Sequence, residues 1–261
     1  MLTYPQIDPV IFHLGPLAVR WYGFMYLVGF VAGYFIIRRL ARLRNLPLKG
    51  EELSDLLFYA VLGVILGARL GYTLIYNLSY YLQHPLEIFA VWEGGMSFHG
   101  GLIGVIVGTI LFCRKKGLPI LLTGDILVSA APIGLGCGRI GNFINGELWG
   151  RVTDVPWGMV FPGAGAAPRH PSQLYEAFLE GGVLFLILWI LQHRKVPAGV
   201  PMAAFFLFYG VFRFSVEFFR QPDAHLGFLW AGASMGQLLS LPMILLGIAG
   251  IVVFARRGKK G

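Results

Sequence analysis

Seven predominantly apolar stretches recur along the chain, at about Val19–Ile37, Leu53–Tyr76, Met96–Cys113, Ile120–Ile140, Leu174–Leu191, Val200–Glu217 and Ser234–Phe254. Each is close to the length of about 20 residues that an α-helix needs to cross the hydrocarbon core of a bilayer. Composition points the same way: 56% of the 261 residues are hydrophobic and 13% are charged, against about 25% charged in an ordinary soluble domain. A soluble fold of this size would lack the polar side chains to cover its surface. No basic stretch precedes the first apolar segment, so that segment is expected to be retained rather than cleaved as a signal peptide. The shorter, mixed stretch Tyr80–Trp92 predicts an interfacial helix, with Tyr80, Tyr81 and Trp92 at headgroup depth. The expected architecture is an all-α integral membrane protein of about seven transmembrane helices. It forms a single domain over residues 1–261, with an outer-side interfacial segment at about 77–95 and a small outer-side head loop at about 141–173.

The net charge of +8 resolves into two populations. Fourteen of the 21 Lys and Arg residues follow the first, third, fifth and seventh segments: Arg38, Arg39, Arg42, Arg44 and Lys49; Arg114, Lys115 and Lys116; Arg194 and Lys195; Arg256, Arg257, Lys259 and Lys260. Every second connection is therefore basic, which predicts an outside N-terminus and a cytoplasmic C-terminus. This placement also removes any need for a nucleic-acid partner. The other seven are all arginines: Arg20, Arg69, Arg139, Arg151, Arg169, Arg213 and Arg220. They fall inside segments or on the predicted outer side. Arginine presents a rigid fork suited to bidentate phosphate contact, so this set suggests a phosphate ligand. Arg20 and Arg151 also read as residues that snorkel to the outer interface. Many of the 36 glycines recur at four-residue spacing, as in Gly63/Gly67/Gly71 and Gly104/Gly108, and suit close helix packing. Cys113 and Cys137 lie in apolar surroundings, form no metal-ligand pattern and read as small buried hydrophobes.

Ionisable residues at membrane depth are costly and invite a functional explanation. His99 sits in a run with Gly94, Gly95, Gly100 and Gly101, which leaves room for a substrate beside a side chain suited to proton transfer; a structural hydrogen bond is the competing reading. Arg139 lies among six glycines, and Arg139, Asn142 and Asn145 repeat at three-residue spacing that could line one face as an anion site; an interfacial arginine at a helix end is the competing reading. Tyr209, Arg213 and Glu217 are four apart on one helical stripe, where Glu217 would pair with Arg213; a purely structural ion pair is the competing reading. Ser172 reads as a helix N-cap with Glu176 in the first turn, a structural arrangement. An anion transporter would also carry embedded arginines, but no internal repeat is visible. A transferase acting on cytidine-linked lipids would need a metal-binding aspartate array, and no DxxxD-type array is present.

Four stretches, MSFHGGLIG, GCGRIGNFINGELWGR, RHPSQLYEA and YGVFRFSVEFFRQPDA, resemble the prolipoprotein diacylglyceryl transferase family. The resemblance implies transfer of a diacylglyceryl group from phosphatidylglycerol to the thiol of the lipobox cysteine of a bacterial preprolipoprotein, with release of glycerol phosphate. It implies no metal or dissociable cofactor, and a multi-pass protein of the bacterial inner membrane with its active site toward the outer leaflet. Arg139 matches an essential arginine that holds the phospholipid headgroup, and Arg213 matches a second, accompanied by Tyr209, Glu217 and Arg220 in the same stretch. His99 matches a histidine discussed as the base. Asn142, Gly146 and Glu147 match signature residues, and Tyr22 and Arg69 match further positions associated with the site. Because the acceptor thiol belongs to the partner protein, neither Cys113 nor Cys137 is required for the chemistry.

Overall fold

A computed structural model describes residues 2–15, 17–90, 94–221 and 232–258. The chain forms two compact units, residues 1–44 with 125–261, and residues 45–124.

In the first unit, strands β1 (Val10–Leu14) and β2 (Leu17–Arg20) pair antiparallel, with Val10 opposite Arg20 and His13 opposite Ala18. This hairpin departs from the all-α expectation. Gly15, at φ +60°, turns the chain between two short strands rich in β-branched and aromatic residues. Val19 therefore belongs to β2, and the first long helix, α1, spans Trp21–Leu43. The unit continues with α5 (Ile120–Ile144), α6 (Ser172–His193), α7 (Val200–Val216) and α8 (Met235–Arg257). Helix α6 contains a π-helical segment, Ala177–Val183. Between α5 and α6, the loop is tied by bridges Val152 to Arg169 and Met159 to Arg169, and it packs Met159 and Phe161 against Tyr4.

The second unit contains α2 (Gly50–Ile75), α3 (Leu78–Gln83), a 3₁₀ turn at Pro85–Phe89 and α4 (Phe98–Lys116). The segment expected to be one interfacial helix is thus broken. Pro85 excludes its predecessor from helical geometry, and His84 sits at φ −128°, ψ 63°. Trp92 and Glu93 lie outside the described residues, as do Lys259 and Lys260 and the end of the last motif stretch, residues 222–224.

Among the described residues, five helices are long and apolar enough to cross a membrane: α1, α2, α5, α6 and α8; α7 is a shorter apolar helix. Helix α4, which carries the predicted segment Met96–Cys113, ends in Arg114, Lys115 and Lys116 and is not among the five. The apolar faces stay uncovered by protein. Leu245 and Leu246 of α8 are 67% and 65% exposed, which suits a lipid environment rather than water.

Glycine sets the close approach of α2 and α4. A Cβ at Gly71 would lie 2.8 Å from the Gly100 Cα, and one at Gly104 would run into the Gly63 carbonyl. With no hydrophobic effect between helices in lipid, such backbone contact replaces it as the packing force. At the far end of α7, Asp125 of α5 is fully buried. Its carboxylate accepts from the backbone N–H groups of Gly199 (2.7 Å) and Met202 (2.9 Å), capping a helix whose preceding residue has no side chain to do so. Gln192 donates to the Asp125 carbonyl and to Ser129, and Arg44 donates to Gln192.

Replacing Gly104 with alanine is expected to destabilise the detergent-solubilised protein by about 1–3 kcal/mol. Gly33→Ala, at a position with open space, is expected to leave stability unchanged or raise it by up to about 1 kcal/mol; thermal unfolding of the two variants side by side checks the contrast.

Candidate functional site

Three arginines and three carboxylates meet in the first unit. Glu176 and Glu180 are fully buried on α6, and Glu217, just beyond α7, is 1% exposed. Arg139 on α5 binds Glu176 through Nε at 2.8 Å and places Nη2 4.0 Å from Glu180. Arg213 on α7 reaches Glu176 at 2.9 Å and Glu180 at 4.0 Å through Nη1, and pairs with Glu217 through Nη2. Arg220 lies 3.9 Å from Glu176 and 3.5 Å from Glu217. The Ser234 hydroxyl, at the N-cap of α8, donates to the other Glu217 oxygen at 2.6 Å.

The backbone explains how three helices bring these groups together. A Cβ at Gly181 would lie 2.8 Å from the Gly136 Cα, so α5 and α6 touch at their main chains. Arg139 is one turn beyond Gly136, and Glu180 precedes Gly181. The contact falls in the widened π segment, a feature found mostly at functional sites. On the α8 side, a Cβ at Gly236 would lie 2.5 Å from the Glu217 Oε1, so this glycine makes room for the carboxylate. The arginine side chains remain 20%, 14% and 11% exposed for Arg139, Arg213 and Arg220, while the carboxylates behind them are sealed. The surface offered to an incoming group is therefore cationic, and its counter-charges sit beneath it.

The expected pairing of Arg213 with Glu217 is present, and Tyr209 lies on the same stripe, its ring stacked on Phe205 at 5.5 Å. Asn142 and Asn145 do not share their role with Arg139. Both donate to Glu147 Oε1, at 2.8 and 3.2 Å, while Arg139 turns to Glu176. Gly146, at φ +67°, terminates α5 in the left-handed conformation. Tyr22 bonds Tyr26 at 3.1 Å and packs on Gly141, where a Cβ would come within 2.9 Å of its ring.

His99 and Arg69 belong to the second unit. His99 is exposed in the first turn of α4, which Ser97 caps by accepting from Gly100 N at 3.2 Å. Of the glycines around His99, Gly100 is taken up by main-chain packing and Gly95 by the Tyr72 ring and Arg69, while Gly94 has open space beside it. Gly100 abuts Gly67 and Gly71, and Gly94 and Gly95 adopt φ +88° and +72°. Arg69 is 4% exposed and donates to the carbonyls of Glu87, Ile88, Gly94 and Gly95. Arg151 and Arg169 also serve carbonyls: Arg151 donates to those of Glu217 and Arg220, and Arg169 to those of Gly150 and Ala164. In the same loop, burial lowers the pKa of His170, whose ring lies beside Tyr175 and Phe219.

Two expectations need correction. Ser172 is not an N-cap; Pro171 holds that position and the Ser172 hydroxyl donates to the Leu148 carbonyl at 3.1 Å. Glu176 is not a first-turn ornament but the central carboxylate of the network. Glu180 and Gln173 were not singled out in the sequence. Gln173 is fully buried and donates to the Glu147 carbonyl. The available signal was the four-residue spacing of Glu176 and Glu180 ahead of a Gly-Gly pair.

Comparison with known proteins identifies the family. The family model described as "Prolipoprotein diacylglyceryl transferase" matches residues 9–253. The chain belongs to the prolipoprotein diacylglyceryl transferase family. Among its relatives, a Geobacter sulfurreducens protein named phosphatidylglycerol–prolipoprotein diacylglyceryl transferase is 61% identical over 98% of each chain. Proteins of the same name from Bordetella avium and Legionella pneumophila are 56% and 52% identical, covering 100% and 95% of this chain and 99% and 97% of their own length. The diacylglyceryl transferase relatives thus match this multi-pass membrane protein from end to end, with the arginine network inside the matched region.

Removing Glu176 takes away the carboxylate that Arg139 and Arg213 both hold within 2.9 Å and leaves them only Glu180, at 4.0 Å, in common. Glu176→Ala is expected to lower unfolding stability by about 3–5 kcal/mol, and Glu176→Gln, which keeps an acceptor oxygen, by less; denaturant titration in detergent measures both.

Proposed function

We infer that the protein transfers the diacylglyceryl group of phosphatidylglycerol to the thiol of the lipobox cysteine of bacterial preprolipoproteins, the first step of lipoprotein maturation. The observation that carries this reading is family membership over residues 9–253 together with full-length relatives named for that activity. The arginine network supplies the chemistry the reaction needs. The acceptor sulfur attacks the glyceryl carbon as thiolate, a C–S bond forms, the C–O bond to phosphorus breaks, and the electron pair leaves on the phosphate of glycerol phosphate. Arg139 and Arg213 hold the phosphodiester and stabilise the charge that grows on the departing phosphate at low dielectric. Tyr209, Glu217, Arg220, Asn142, Gly146, Glu147, Tyr22 and Arg69 shape or support the substrate site in this reading. The thiol proton goes to His99 or is lost spontaneously from a thiol beside the arginines.

The same reading places the protein in the bacterial inner membrane with about seven crossings, the N-terminus outside and the active site toward the outer leaflet. The alternation of basic connections supports it.

Incubation of the purified protein with phosphatidylglycerol and a lipobox peptide is expected to add the diacylglyceryl mass to the cysteine, read by mass spectrometry; an unmodified peptide contradicts the assignment. Arg139→Ala and Arg213→Ala are each expected to lower the transfer rate by at least about 100-fold, the scale of losing one transition-state charge donor. A base role for His99 predicts that His99→Gln removes the acidic limb of the pH–rate profile. An unchanged limb with lowered rate assigns His99 to structure instead.

A further inference from the structure

Glu180 stands apart from its neighbours. It is fully buried, and among the described residues neither of its carboxylate oxygens has a hydrogen-bond partner. Its nearest cationic nitrogens, on Arg139 and Arg213, are 4.0 Å away. Glu176 by contrast holds both of those arginines within 2.9 Å, and Glu217 holds Arg213 and accepts from Ser234. The charged and titratable groups facing Glu180 are Glu176 on its own helix, Arg139 on α5, and Tyr209, Arg213 and Arg220 on or just past α7.

Charge balance then constrains how the site can accept an anion. Three arginines and three carboxylates sum to zero when all are ionised. A phosphodiester monoanion adds an uncompensated negative charge to a buried cluster, which is costly at low dielectric. The cost is avoided if one carboxylate is discharged, and the one that loses no hydrogen bond on discharge is Glu180. We propose that Glu180 takes up one proton from solvent when the anionic phosphodiester headgroup binds Arg139 and Arg213, and returns it when glycerol phosphate departs. This rests on the phosphatidylglycerol reading of the site. No bond to carbon or phosphorus changes in this step: H⁺ joins a carboxylate oxygen on binding and leaves on release. The protonated carboxyl also gains a donor that it can turn toward the bound headgroup. Glu180 is thus a positioning residue that sets the charge of the site rather than one that attacks.

The test is calorimetric titration of phosphatidylglycerol into the detergent-solubilised protein in two buffers of different ionisation enthalpy, for wild type and Glu180→Gln. The wild type is expected to take up about one proton per lipid, with affinity falling by up to about tenfold per pH unit over the range where uptake occurs. Glu180→Gln, fixed in the neutral form, is expected to take up none and to bind with flat pH dependence. Zero uptake by wild type, or equal uptake by both proteins, overturns the proposal. If Glu180→Gln does not fold, infrared difference spectra of the wild type decide: a new carboxylic-acid C=O band on lipid addition supports the proposal and its absence overturns it. Failure of wild type to bind phosphatidylglycerol at all refutes the functional reading, and this proposal with it; proton-free binding refutes this proposal alone.

Discussion

The structure depends on holding three guanidinium groups in a chain built for lipid. Arg139, Arg213 and Arg220 are tolerated because Glu176, Glu180 and Glu217 sit directly behind them, fully or almost fully buried. Replacement of such an ion cluster by apolar groups would often be neutral or stabilising. The arginines keep partial exposure while the carboxylates have none, so the cluster is neutral as a whole yet cationic at its face. In the proposed reaction an anion entering the site would meet donors already oriented, which is the requirement for electrostatic catalysis without reorganisation.

That arrangement needs backbones closer than ordinary side chains allow. Gly136 against Gly181 brings Arg139 over Glu176, and Gly236 leaves space for Glu217. The same device recurs in the second unit, where Gly63, Gly67 and Gly71 meet Gly100 and Gly104. At the opposite end of α7, the buried Asp125 carboxylate fixes where that helix starts, and so where Arg213 falls four turns later. The loop fixes the other end: Arg151 donates to the carbonyls of Glu217 and Arg220, and Gly150 pairs with Arg220. Arg213 is held between two clamps, neither of which touches its guanidinium.

Periodicity made part of this legible in the sequence. Tyr209, Arg213 and Glu217 share a stripe because four residues make about one helical turn, and the pair forms as that spacing requires. The helical segments were readable from apolar length, because lipid-facing helices need no second pattern. Glu176 was misread because an acidic residue in a first turn is what the helix dipole alone would favour. Its partners lie on two other helices, and nothing local announces a contact 37 residues away. The arginines divide for a similar reason. A guanidinium suits a phosphate and a set of main-chain carbonyls equally well, and only the fold shows that Arg69, Arg151 and Arg169 meet carbonyls whereas Arg139 and Arg213 meet carboxylates. The β1–β2 hairpin was hidden by its apolar residues, which continue smoothly into the first helix.

The Ser234 bond to Glu217 has a consequence for biogenesis. A ribosome delivers Arg139 first, then Glu176 and Glu180, and the nascent chain at that stage carries two carboxylates against one arginine. Arg213, Glu217 and Arg220 restore parity only when α7 has been made. Glu217 then waits for the start of α8, whose first residues bring the Ser234 hydroxyl and the glycine clearance at Gly236. The cluster is completed only by α8, so a chain truncated before α8 lacks the Ser234 bond to Glu217 even though Arg139, Arg213 and Arg220 are already present.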